Sequence, residues 1–123
     1  MPPEIAPRDR ALLLDMLLAA RDARSFVADL DEAGFVDSRL HQNAVIRALE
    51  IIGEAAGKVS PGARDTLVAI PWREVIGMRH RLIHGYADVS LDVVWATVRD
   101  ELPALVTTLE SVIPAADDPE LST

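Results

Sequence analysis

Apolar residues recur along this chain with helical spacing, and nowhere with the alternation of a strand. From about Arg8 to Asp31 the positions Leu13, Met16, Leu17, Ala20, Val27 and Leu30 share one stripe. Leu12, Leu14 and Leu18 widen it, which suits a helix buried within the chain or one that also meets a second subunit. Gly34 is expected to break this run. Asp37 or Ser38 is placed to cap a second long helix carrying Leu40, Val45, Ala48, Leu49, Ile52, Ala55, Ala56 and Val59. Gly53 and Gly57, one turn apart, form a thin strip on which another helix can come close; otherwise they only cost helix stability. Ser60-Pro61-Gly62 ends the element, and Ala63 to Val68 has room for a turn or two of helix. Pro71 suits the first position of a third main helix, with Trp72, Val75, Ile76, Leu82 and Ile83 as its stripe and Gly85 as a left-handed C-cap. After a connector at Ala87-Asp88-Val89-Ser90, capped by Asp88 or Ser90, the last helix carries Leu91, Val94, Trp95, Val98, Leu102, Leu105, Leu109 and Val112. Pro103 is expected to kink that helix rather than end it, because the periodicity continues beyond it. Residues 1–7, with three prolines, read as an extended lead-in, and 114–123 as a frayed tail. The expectation is one all-α domain over 1–123, a bundle of four main helices plus a short fifth.

Composition narrows this further. Half of the 123 residues are hydrophobic, enough for a core that needs no staples. The chain has no cysteine, which removes disulfides, thiolate zinc sites and a cysteine nucleophile. No apolar run approaches a bilayer span, and the first residues lack the layout of a signal peptide, so a cytoplasmic location is expected. The net charge of −8 argues against a surface coated with phosphate-binding groups. Its distribution is uneven, however. Between Arg39 and His84 seven basic residues face four acidic ones, while the flanks hold the remaining five basic and sixteen acidic residues. A basic middle framed by acidic ends can focus an anion on one face, or can simply be solvated helix surface.

Candidate chemistry concentrates in Arg79-His80-Arg81-Leu82-Ile83-His84-Gly85-Tyr86, which holds two of the three histidines and the only tyrosine. Arg79 falls on the apolar stripe of its helix, so its guanidinium needs a partner, either a bound anion or Glu50 or Glu54 of the second helix. His84 lies at the helix C-terminus, where free carbonyls favour the imidazolium and suit proton transfer in phosphoryl chemistry; a plain capping role is the alternative. Arg79 and His84 are about 140° apart on an ideal helix, so a compact site needs convergence over the helix end or a second copy of the motif. Tyr86 can touch a phosphate, be modified, or close the base of the bundle. His80 and His84, four apart, have the spacing of a metal pair, but no third ligand stands near in the sequence, and no metal is expected. His80 and Arg81 are possible supporting groups.

The pattern Arg79-x4-His84-x-Tyr86, set within Gly77-Met78-Arg79 and Leu82-Ile83-His84-Gly85-Tyr86, resembles the signature of HepT-like toxins of the HEPN superfamily (higher eukaryotes and prokaryotes nucleotide-binding). Ala48-Leu49-Glu50-Ile51-Ile52-Gly53-Glu54-Ala55-Ala56, Pro71-Trp72, and Val94-Trp95 through Asp100-Glu101-Leu102-Pro103 resemble other stretches of that family in the same order, covering roughly residues 8 to 112. Position 80, commonly a small polar residue such as Asn in the family, is His80 here. The resemblance implies a HEPN-like bundle that forms a homodimer with both motifs facing one cleft. It implies the toxin of a type II/VII-like toxin–antitoxin module, a metal-independent endoribonuclease whose partner is an MNT-type minimal nucleotidyltransferase antitoxin. Carried over, His84 is the general acid/base for attack of a ribose 2′-hydroxyl on the adjacent phosphate, and Arg79 stabilises the charged transition state. Tyr86 accepts AMP that the antitoxin takes from ATP; the chain itself uses no cofactor. The alternatives are a non-catalytic nucleotide- or partner-binding module of the same family and a plain dimerisation domain.

Overall fold

Three serine and aspartate caps and two prolines divide the chain into its helices. The computed structural model describes residues 5–84 and 90–121, and the side chains of all of these but Ile83 and His84. The lead-in over 1–4, the C-cap at Gly85 and the connector at 87–89 lie outside the described residues. α1 (Pro7–Phe26) begins with proline in its first turn; α2 (Glu32–Val36) is a short helix; α3 (Arg39–Lys58) and α4 (Pro61–Thr66) follow. α5 (Trp72–His84) carries the motif, and α6 (Leu91–Ala96) and α7 (Leu102–Val112) are joined by a π turn, Thr97–Glu101. A single 3₁₀ turn, Ala115–Asp117, completes the described elements, none of which is a strand. The chain is an all-α, HEPN-like bundle. No helix among the described residues is long and apolar enough to cross a membrane.

α1 is central, packed between α3 and α7, while α5 lies against the other part of α3 and α2 meets α3 and α6. The core takes Leu13, Met16, Leu17 and Ala20 from α1, Val45, Leu49, Ile52 and Ala56 from α3, and Val94, Leu105 and Leu109 from the last helices. Leu12, Leu14 and Leu18 are half-buried at its rim. Phe35 of α2 is fully buried and meets Trp95 with ring centroids 5.5 Å apart, a tilted aromatic pair. The π turn stands where Pro103 cannot donate to a carbonyl four residues back, so the helix loosens by one residue and continues. Before it the helix packs on α2; after it, on α1.

Two expectations about α1 and its sequel are corrected. The helix ends at Phe26 rather than Asp31, and Gly34 is not its terminator but a residue within α2. The cause is Asp31, whose carboxylate accepts the Gly34 N–H at 2.8 Å and so starts a new helix instead of prolonging the old one. Leu40, assigned to the apolar side of α3, is 76% exposed because it lies in the first turn, ahead of the core-facing residues. Ser38 caps α3 as expected, accepting from His41 N; Ser60, read only as part of a helix end, also caps α4 by accepting from Ala63 N, while Ser90 precedes α6 without a side-chain cap bond.

Two polar ties close the bundle at its ends. Asp9, only 5% exposed, accepts from Ser60 N at 2.9 Å and from Ser60 Oγ at 2.6 Å, fixing the start of α1 to the corner between α3 and α4. These bonds hold its carboxyl below the usual range, against an opposing effect of burial. At the other end the expected frayed tail is docked. Arg21 grips Asp118 with two bonds of 2.8 Å, reaches Glu110 at 2.8 Å, and lies 3.3 Å from Glu120. Asp118 is 2% exposed, and its bidentate bond with Arg21 lowers its pKa.

Both carboxylates titrate lower in the folded chain than unfolded. Their contribution is therefore complete above the ordinary value of 3.8 and is lost as the pH falls through their lower folded values. Chemical denaturation across pH should show stability level above about pH 5 and falling below it, with a shallower fall in the Asp9→Asn/Asp118→Asn variant. At neutral pH Asp9→Ala leaves two Ser60 donors without their acceptor and should cost about 1–3 kcal/mol in urea unfolding.

Candidate functional site

The position of α5 is set before the motif begins. Trp72 Nε1 donates to the Leu67 carbonyl at 3.1 Å, pinning the helix start to the end of α4. Arg64 of α4 donates through Nη2 to Ala56 O at 3.1 Å and Gly57 O at 3.0 Å, carbonyls of the last turn of α3. Its guanidinium also stands over the Trp72 ring, 5.9 Å from the centroid. One arginine thus links the end of α3 to the start of α5. Sequence reading gave Arg64 no role; the signal available was a basic residue just after a Pro-Gly helix start, too common to be decisive.

One turn further along, α5 meets α3 at Gly53. This glycine is buried, and a Cβ built on it would overlap Arg79 Cβ, approach Arg79 Cγ to 3.1 Å and Val75 O to 3.2 Å. The thin strip expected at Gly53 is therefore real, and the side chain that uses it is Arg79. Gly57 is different: it is exposed, and a Cβ there meets nothing within 4 Å.

Arg79 faces α3, as the helical period requires, and is half-buried. Its Nε is buried and has no hydrogen-bond partner. The expected pairing with Glu50 or Glu54 does not form. Both carboxylates turn along their own helix, Glu50 to Arg47 at 3.4 Å and Glu54 to Lys58 at 3.6 Å. Three- and four-residue pairs of this kind are each worth about 0.2–0.5 kcal/mol. His80 and Arg81 are exposed, and neighbours one and two residues on from Arg79 do not share its face. Among the described residues Arg81 reaches Met78 Sδ, at 3.9 Å. His84 is the last residue of α5. Its side chain, Gly85 and Tyr86 lie outside the described residues, so the expected general acid/base and AMP acceptor are not placed by the geometry. No group of three metal-ligating side chains occurs among the described residues.

A groove of about 350 Å³ runs between α3, α5 and the π turn, lined by Leu49, Ile52, Val75, Met78, Leu102 and Leu105 among others. It is apolar, Asp100 and Glu101 being its charged lining, and none of Arg79, His80 or Arg81 lines it.

Residues 16–112 match the family model described as "Ribonuclease HepT-like". The chain belongs to the HepT-like ribonuclease family. That family lies within the HEPN superfamily, and the matched span holds α3, α5, Gly53 and the whole Arg79-x4-His84-x-Tyr86 pattern. Among its relatives is "Putative RNase MJ1380" of Methanocaldococcus jannaschii, 36% identical over 103 residues, 84% of this chain and 94% of that protein. "Putative RNase MJ0125" of the same organism is 38% identical over 104 residues, covering 85% of this chain and 90% of the relative. "Probable ribonuclease HepT" of Thermococcus cleftensis is 39% identical over 93 residues, covering 76% and 84%. No solved structure matches the chain. Asp9 and Asp118 both fall outside the HepT-like span, so each polar tie joins a matched residue to one beyond it.

A buried N–H without an acceptor is a cost to a HepT-like fold, not a support. Replacing Arg79 by Met keeps an unbranched stem against Gly53 and removes that donor. Arg79→Met should unfold thermally at the wild-type midpoint or above it, a gain of up to about 1 kcal/mol. A clear loss of stability would mean that the arginine has a structural partner.

Proposed function

We propose that this HepT-like chain is the toxin of a two-gene toxin–antitoxin module, a homodimeric endoribonuclease that cleaves RNA without a metal. The observation that carries the reading is Arg79: a guanidinium held against α3, its Nε unpaired, on the helix that ends at His84. A guanidinium presents paired N–H donors, and an RNA phosphate is an acceptor of the right charge and shape for them. Family membership and the names of the relatives support the same chemistry.

In the reaction, His84 takes the proton from a ribose 2′-hydroxyl as its oxygen attacks the adjacent phosphorus. The bond from phosphorus to the 5′-oxygen of the next nucleotide breaks, and that oxygen receives a proton, leaving a 2′,3′-cyclic phosphate and a free 5′-hydroxyl. Arg79 stabilises the negative charge that builds on the phosphorane-like transition state. RNA supplies its own nucleophile, so the step calls on neither a metal nor a cysteine. A dimer with both motifs in one cleft brings a second proton carrier to the leaving group and overcomes the separation of Arg79 and His84 on a single helix. The basic stretch between Arg39 and His84 supplies attraction for the RNA backbone despite the net charge of −8.

The partner in this reading is an MNT-type nucleotidyltransferase. It holds ATP, and the Tyr86 hydroxyl attacks the α-phosphate, forming a phosphodiester to AMP and releasing pyrophosphate. The bulk and charge added beside the cleft then oppose RNA entry. Masking by complex formation acts in the same direction.

RNA cleavage in the presence of a chelator should fall by about 10²–10⁴-fold in His84→Ala and by about 10²–10³-fold in Arg79→Ala. Wild-type rates in both variants would remove the catalytic assignment of His84 and Arg79, and no cleavage by wild type itself would leave the non-catalytic nucleotide- or partner-binding module. After incubation with the nucleotidyltransferase and ATP, the intact mass of the wild type should rise by whole AMP units, and that of Tyr86→Phe should not. An unchanged wild-type mass, or an equal gain in Tyr86→Phe, removes Tyr86 as the acceptor.

A further inference from the structure

We infer that Gly53 is a positioning residue for Arg79: its missing side chain sets how deeply the arginine stem sits against α3, and so where the guanidinium lies. The inference rests on the function proposed for Arg79, and deepens it. Gly53 is buried within α3, and Arg79 Cβ occupies the space that a Cβ at position 53 would need. The obstacle is not the tip of a pliable side chain. It is the rigid base of Arg79, together with the Val75 carbonyl of the same helix turn. Adding one methyl group must drive α5 from α3 by roughly 1.5 Å before ordinary carbon–carbon contact returns.

That movement has no easy outlet. The start of α5 is pinned through Trp72 to the Leu67 carbonyl and to Arg64, which in turn holds the end of α3. With its start held, α5 has to open around Val75 and Arg79. The displacement is thereby delivered to the motif rather than spread over the bundle. Gly57 supplies a control on the same helix, one turn away and exposed, where an added Cβ would meet nothing within 4 Å.

The experiment compares wild type, Gly53→Ala, Gly57→Ala, Arg79→Ala and Gly53→Ala/Arg79→Ala for RNA cleavage, with circular dichroism and thermal midpoints for each. Gly53→Ala should remain folded and lose about 10²-fold in kcat with KM unchanged, the effect of a small misplacement at a reacting centre. Gly57→Ala should keep full kcat. Arg79→Ala keeps the Cβ that meets position 53, so Gly53→Ala still moves α5 in that background; with the guanidinium already absent, the further loss in kcat should be clearly smaller than the loss it causes in wild type. Full kcat in Gly53→Ala overturns the inference, and so does an equal loss in the presence and absence of the Arg79 side chain. An unfolded Gly53→Ala chain overturns it as well, since the glycine would then be a requirement of the fold. The place of the arginine is also read without turnover, from its Nε–H nuclear magnetic resonance signal, which must shift in Gly53→Ala and stay in Gly57→Ala. If wild type fails to cleave RNA while that signal behaves so, the proposed function falls and the positioning stands; an unmoved signal removes the positioning itself.

Discussion

The spacing between α3 and α5 is fixed at Gly53, where a hydrogen atom stands in for a side chain and the base of Arg79 fills the gap. Much of the remaining architecture serves that contact. α3 also packs extensively on α1, so it presents a firm surface rather than one that yields. Arg64 and Trp72 fix the end of α3 to the start of α5, which leaves little freedom for the two helices to slide. A charged side chain is thereby carried into a half-buried position by its own backbone, without an ion pair among the described residues to draw it there. This differs from the usual case, in which a buried guanidinium is retained because carboxylates surround it.

Arg21 is an example of that usual case within the same molecule. It is gripped by Asp118 and reached by Glu110 and Glu120, so its charge is spent on structure. Glu50 and Glu54, the candidate partners that α3 offers Arg79, pair instead with Arg47 and Lys58 along their own helix. In a chain with twenty acidic residues, leaving one inward-facing arginine unclaimed takes this local pairing. It is also what keeps the group available to an external anion.

The long helices and the face on which Arg79 lies could be read from the sequence because the 3.6-residue period reports directly which side chains share a side. Ser38 was legible as a cap for a similar reason, being local. α2 was not, since five residues are too few to show a period and its cap, Asp31, looked like the end of the preceding helix. The docked tail was invisible because Arg21 and Asp118 are 97 residues apart, and nothing in the spacing of charges announces such a pair. Glu50 and Glu54 were candidates for Arg79 by helix proximity, but whether a carboxylate crosses between helices or turns to its own is decided by rotamers, which composition does not reveal. For the site, the sequence supplied the motif and the comparisons its family; only the three-dimensional arrangement linked Gly53 to Arg79.

The grip of Arg21 on Asp118 also orders events in time. α1 can settle on α3 as soon as about half of the chain exists, because the elements involved are neighbours. The guanidinium of Arg21 has to stay hydrated until nearly a hundred further residues have been made. The clamp is therefore a latch that closes last, on a bundle whose interior is already assembled.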